Sequence, residues 1–312
     1  MNAACIAETV KRLAREAGYA DCGICSLEPF TEFERAIRDR IARFPETRAL
    51  YEPMLNRADP RAGTPWARSA IVCIRRYGHY AAPEPLAGRI GRAYLFDRRC
   101  SVCPEHAMPK NLGRALKALG LRIRRGGLPD RWAAARAGVA RFGRNGFAYA
   151  RCGSWCNIET WLVDAELPPD KPSLDSPCPP DCRACIEACP TGALTEPYVM
   201  RMDRCVAWLT YFAPEPIAPE LWNAMGEWIY GCDRCQEVCP LNKGQWESLK
   251  KADWLEAVAS RLTPDALATM DDATYRTVVH PLFGYIPEDR ADRWRRNARR
   301  ALNAKSLSER TS

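Results

Sequence analysis

Residues 2–18 carry apolar side chains at Ile6, Val10, Leu13 and Ala17, a three-to-four spacing that predicts an amphipathic helix ended by Gly18. The stretch YADCGICSL then reads as a short buried strand. Cys22 and Cys25 fall on opposite faces of such a strand, so they read as small core residues rather than as a metal pair. Residues 31–43 predict a charged amphipathic helix, RADPRAGTPWA a turn-rich connection, and SAIVCIRRYG a second core strand containing Cys73. Residues 83–107 read as irregular, punctuated by Pro83, Pro85, Gly88 and Gly91.

A helix over residues 110–120 ends at Gly120, and LRIRRGG reads as strand and turn. The following RWAAARAGVARFGRNGFAYARCGSWCNIETWLVDAEL reads as helix, glycine-rich turn and strand. Strands alternating with helices through residue 165 argue for an α/β domain. The proline-rich LPPDKPSLDSP is a joint, and the chain past Pro240 is helical and charged, with Thr263–Pro264 as a helix start. Three parts follow: 1–167, an α/β domain; 168–245, a cysteine-rich domain; and 246–312, a helical segment.

At 312 residues the chain is long enough for two or three domains, and no apolar run of membrane-spanning length occurs. The N-terminal stretch is an amphipathic helix rather than a signal peptide. Sixteen cysteines in such a chain point to a reducing cytoplasm rather than to a disulfide framework. The net charge of +8 suits an anionic partner such as RNA or a phosphate-bearing cofactor, and equally a solvated basic face. The same two readings apply to Arg290, Arg293, Arg295, Arg296, Arg299 and Arg300 near the C-terminus.

Eight of the cysteines lie between Cys178 and Cys239. Cys178, Cys182, Cys185 and Cys189 precede Pro190; Cys232, Cys235 and Cys239 precede Pro240; Cys205 lies between the runs. In two-cluster ferredoxins the cysteine before the proline ligates the other cluster. One [4Fe-4S] cluster would then use Cys178, Cys182, Cys185 and Cys239, and the second Cys189, Cys205, Cys232 and Cys235. Paired structural zinc sites are the alternative, which the CxxxCP endings disfavour. Cys100, Cys103 and His106 could begin a further metal site, with Cys152 or Cys156 completing it; as an alternative they are thiols near a loop.

CRACIEACPTGAL, CVAWLTYF and GCDRCQEVCPLN resemble the epoxyqueuosine reductase family, as do RADPRAGTPWARSAIV, RAGVARFGRNGFAYARCGSW and WRRNARRAL. The resemblance covers nearly the whole chain. It implies a cobalamin-binding α/β domain, a ferredoxin-like double [4Fe-4S] domain and a C-terminal helical segment. It also implies an oxidoreductase that reduces an epoxide on a tRNA wobble base in queuosine synthesis, fed by an external low-potential electron donor. By match to the family's glycine-rich stretch, Arg141, Gly143, Arg144, Asn145 and Ser154 would contact the cofactor. Asp130, His106 and Tyr94 are the expected proton donors. Three departures stand out: Arg124 falls about where the family has its acid, CSVCPEH replaces an aspartate–tyrosine–histidine motif, and Cys178 and Cys182 are separated by three residues rather than two. They leave open a paralogue that reduces a different small molecule, as reductive dehalogenases do. A ferredoxin-like carrier with no substrate of its own is the reading from another class.

Overall fold

The computed structural model describes residues 2–95, 103–247 and 250–311. Helix α1 (Ala3–Glu16) starts where the Asn2 side chain accepts from the Cys5 amide at 2.9 Å, and the chain leaves it through Gly18 at φ +102°. Strand β1 (Asp21–Cys25) follows, then α2 (Thr31–Arg43), which buries Phe33, Ile37 and Ile41 along one stripe. Next come β2 (Ser69–Arg76), the two-residue β3 (Tyr80–Ala81), α3 (Pro104–Ala118), β4 (Ile123–Arg125) and α4 (Asp130–Arg136). A hairpin of β5 (Arg141–Phe142) and β6 (Ala148–Tyr149) leads into β7 (Cys156–Val163).

The main sheet runs β1-β2-β7-β4, and every pairing in it is antiparallel. Both faces are covered. α2 and α4 pack with Cys25, Val72 and Leu162 on one side; α1 and α3 pack with Cys22, Cys73 and Trp161 on the other. Cys22 and Cys25 therefore do point to opposite faces, in two separate cores. One expectation needs correction. α3 begins at Pro104, not at residue 110, because proline is tolerated in a helix's first turn and its fixed φ suits that position. His106 consequently stands on a helix.

The last segment is not a unit of its own. Lys250–Lys251 pairs in parallel with β3, and Tyr80, Leu86, Ile90, Leu95 and Cys103 share one core with Leu255, Tyr275, Phe283 and Trp294. The long helix Ala291–Thr311 buries Arg296 and Arg300 and half-buries Arg293 and Arg295. Arg296 donates to the carbonyls of Leu209 (2.8 Å) and Ala213 (3.3 Å), and Asn297 to those of Thr210 (2.9 Å) and Ile229 (3.0 Å). Arg300 donates to the carbonyls of Gly226 and Trp228, and burial pushes its guanidinium down to about 10, still charged at neutral pH. Of Arg290, Arg293, Arg295, Arg296, Arg299 and Arg300, Arg299 is the exposed one. Arg300→Ala leaves two carbonyls without their donor, so a loss on the order of 3 kcal/mol is expected in chemical denaturation. A change under about 0.5 kcal/mol, usual for a surface position, would remove the clamp from the account.

Candidate iron–sulfur centre and cofactor cavity

The two short helices Ala184–Glu187 and Arg234–Glu237 pack against each other and bring the cysteine runs together. Cys178, Cys182, Cys185 and Cys239 line one small pocket with Arg144, Asn145 and Tyr149. Burial, with the thiols of Cys178, Cys239 and Cys182, pushes Cys185 up to about 11. Cys189, Cys205, Cys232 and Cys235 gather on one wall of a second, much larger cavity. Burial and the other three thiols hold Cys235 well above the ordinary thiol range. Each proline-preceding cysteine, Cys189 and Cys239, thus stands with the opposite run. Among the described residues no three ligating side chains close on a single metal ion. Four thiols at each site match the ligand number of a four-iron cubane.

The glycine-rich stretch clamps this domain. Gly143 is required by contact: a Cβ there would lie 2.2 Å from the Tyr149 ring. The Arg144 amide donates to Cys178 Sγ at 3.3 Å and its guanidinium to the Cys182 carbonyl at 2.7 Å. Asn145 Nδ2 donates to Tyr149 Oη at 2.9 Å, and Tyr149 Oη donates to Cys239 Sγ at 3.1 Å. Buried Ser154 is bound by Gln236 and Asn242, while Arg141 points outward to Asp175 at 3.3 Å. Of the five residues expected to hold the cofactor, Asn145 is the one that lines the large cavity. The others brace the hairpin or the cysteine domain, because the stretch is spent on the joint between domains.

Hydrogen bonds to cluster sulfurs raise reduction potential. Tyr149→Phe removes one from Cys239, so one cluster should titrate at a more negative potential while the other stays put, as read by spectroscopic redox titration. Unchanged potentials would show that the hydroxyl does not act on a cluster sulfur.

The large cavity measures about 1230 Å³ and lies between the sheet, the cysteine domain and the C-terminal helices. Tyr94, His106 and Asp130 all line it. Asp130 opens α4, accepts from Thr160 Oγ1 at 2.9 Å, and is held above the ordinary carboxyl range by burial. Tyr94 is ringed edge-on by Tyr211, Tyr230 and Tyr285, and loss of solvent raises its hydroxyl. Sequence reasoning passed over Glu159, which is 6 % exposed in the middle of β7. It meets Arg75 at 3.0 Å, Arg125 at 3.1 Å and Tyr19 Oη at 2.6 Å. A lone carboxylate within an apolar strand was the signal. Arg131 lies over the Phe147 ring at 4.9 Å and donates to the Gly146 carbonyl at 2.8 Å.

The further metal group does not assemble among the described residues. Cys100 lies outside them. Cys103 is buried beside Tyr80 Oη at 3.8 Å, and Cys152 and Cys156 hydrogen-bond to each other, which holds Cys152 down to about 7. Arg124, near the place of the family's acid, turns away to the Gly63 carbonyl at 2.8 Å.

One set of four thiols in a small pocket and a second on the wall of a large cavity shared with the sheet domain define an iron–sulfur protein with room for a further ligand. Residues 178–242 match the family described as the 4Fe-4S double cluster binding domain. The chain is 30% identical over 241 residues to an epoxyqueuosine reductase of Staphylococcus aureus, matching 73% of this chain and 62% of that protein. It is 28% identical over 309 residues to one from a Synechococcus species, across 94% of this chain and 93% of the relative. A crystal structure of epoxyqueuosine reductase with an epoxyqueuosine-modified tRNA-Tyr stem loop has the same fold, at TM-score 0.74 and 24% identity, over 96% of this chain and 82% of that one. The chain is thus similar in sequence to epoxyqueuosine reductases over most of its length, and it shares their fold. It spans less than two thirds of the length of the first of these relatives. Among the described residues no helix is long and apolar enough to cross a membrane.

Proposed function

We propose that this protein is a cobalamin-dependent iron–sulfur reductase that removes the epoxide oxygen of epoxyqueuosine in tRNA. The observation that carries the reading is the cavity of about 1230 Å³ with four thiols on one wall and Asp130 on another. It exceeds the range of about 300–1,000 Å³ usual for small-ligand pockets, which suits a corrin together with a substrate. Asn145, Asn157 and Arg131 would hold the corrin. When bound, cobalamin supplies a strongly reducing cobalt, which the protein's clusters, of a type reaching about −700 mV, can feed. Cys178, Cys182, Cys185 and Cys239 would hold one cluster; Cys189, Cys205, Cys232 and Cys235 the one beside the cavity.

Converting an epoxide to an alkene takes two electrons and two protons, and the oxygen leaves as water. The electrons come from an external low-potential donor. Glu159 is committed to two arginines, whereas Asp130 is held by a neutral hydroxyl and keeps its proton to higher pH. Asp130 is therefore the proton donor, with Tyr94 and His106 at the same cavity. The net charge of +8 favours an RNA substrate, and a tRNA substrate places the protein in the cytoplasm.

Mass spectrometry of tRNA incubated with reduced, corrinoid-loaded protein tests the reading. Epoxyqueuosine should lose one oxygen. Intact epoxyqueuosine beside a protein that binds and reduces cobalamin would leave a paralogue acting on another molecule. A visible cobalamin spectrum unchanged by the protein would leave a plain electron carrier.

A further inference from the structure

Among the described residues four large apolar side chains are exposed: Leu174, Tyr198, Phe212 and Tyr285. Two of them stand together. Phe212 is 43% and Tyr285 57% exposed, their ring centroids are 6.5 Å apart, and both line the large cavity. Exposed rings that also line a cavity lie at its mouth.

These rings are held from behind. Tyr211, 4% exposed, meets Phe212 at 5.8 Å and Tyr285 at 5.3 Å, and Tyr94 meets Tyr285 at 5.5 Å. The Tyr285 amide donates to Tyr230 Oη at 2.8 Å, and the neighbouring Phe283 is buried in the core. The Phe212 amide donates to the Trp208 carbonyl at 2.8 Å. The backbone of both residues is fixed while their rings stay wet. Paired apolar rings kept in water at a cavity mouth mark a binding surface rather than a packing accident.

We propose that Phe212 and Tyr285 form a stacking notch for an unpaired tRNA base, the neighbour of the one that enters the cavity; this rests on the function proposed above. The two planes meet at 53°, so a flat heterocycle lying on one ring meets the edge of the other. Single-stranded RNA is read by splaying bases onto aromatic side chains. A base drawn into the cavity leaves its neighbour in the loop unstacked at the mouth, where a rigid ring replaces the lost partner. The benzimidazole nucleotide of a corrinoid has the same flat chemistry, so the experiment measures both ligands.

Fluorescein-labelled anticodon stem-loop RNA is titrated against cluster-loaded, cobalamin-saturated protein, and cobalamin is titrated separately. Phe212→Ala and Tyr285→Ala should each weaken RNA binding about five- to a hundredfold. The slope of affinity against salt should be unchanged, because no phosphate contact is lost. Iron content and cobalamin affinity should match the wild type. A 2-aminopurine next to the modified base should be quenched by the wild type and not by the variants, and Phe212→Trp should restore quenching. RNA affinity within twofold of the wild type in both alanine variants overturns the notch. So does a fall in cobalamin affinity with RNA affinity intact. Wild-type protein that binds no stem loop overturns the notch together with the tRNA reading, whereas the first two results leave that reading standing.

Discussion

Cys235→Ser protein, prepared anaerobically, is expected to carry about half the iron of the wild type, about four atoms per chain instead of about eight. Cys235 stands with Cys189, Cys205 and Cys232 on the cavity wall, so the cluster lost is the one beside the cofactor. The other four thiols ring a separate pocket and should keep theirs. Reduction of any substrate should be undetectable, while cobalamin still binds because the rest of the cavity is intact. Iron and sulfide analysis with a visible spectrum of added corrinoid checks all three. Full iron content in the variant would break the assignment of Cys235. Loss of all iron would mean that the two sets are not independent.

Asp130→Asn is the second large effect. The carboxyl accepts from Thr160, and burial raises its proton affinity against the pull of Arg57 and Arg131. The proton is available below that raised pKa and is lost as pH climbs through it, so the wild-type rate falls on the alkaline side. Asparagine has no such limb. A drop of about 10² to 10⁴ in rate is expected, with a flat profile through the window where the wild type declines. Stability changes with pH in the same direction. An unfolded aspartate ionises near about 3.9, below the folded group, so between the two values the native state holds a proton that the unfolded chain has released. Wild-type stability therefore falls as pH rises through that window, and the asparagine variant should escape the fall. Urea denaturation at several pH values, beside the kinetics, separates this from simple damage. A variant both slower and less stable at neutral pH would indicate a structural role instead.

The cysteine spacing was the most legible part of the chain. Local runs suggested which thiols could share a cluster, and the cysteines that precede a proline, Cys189 and Cys239, each line the pocket of the opposite run. Helix ends marked by Gly18 and Thr263 were legible too, since single residues decide them. What stayed hidden depends on contacts far apart in sequence. The glycine-rich stretch carried turns but not their purpose, and only the fold shows Tyr149 reaching Cys239, ninety positions on. The terminal arginines suited a phosphate-binding face or a solvated one equally, because charge alone does not say which way a side chain turns. Glu159 was missed because a strand pattern weighs apolar residues and treats one carboxylate as noise. The cavity, formed by three parts of the chain, has no local signature at all.

Arg296, Asn297 and Arg300 hold the carbonyls of residues 209–213 and 226–229, which lie just inside the two ends of the stretch from Cys205 to Cys232. The spacing of those two thiols therefore depends on a helix, Ala291–Thr311, that carries no cysteine of its own.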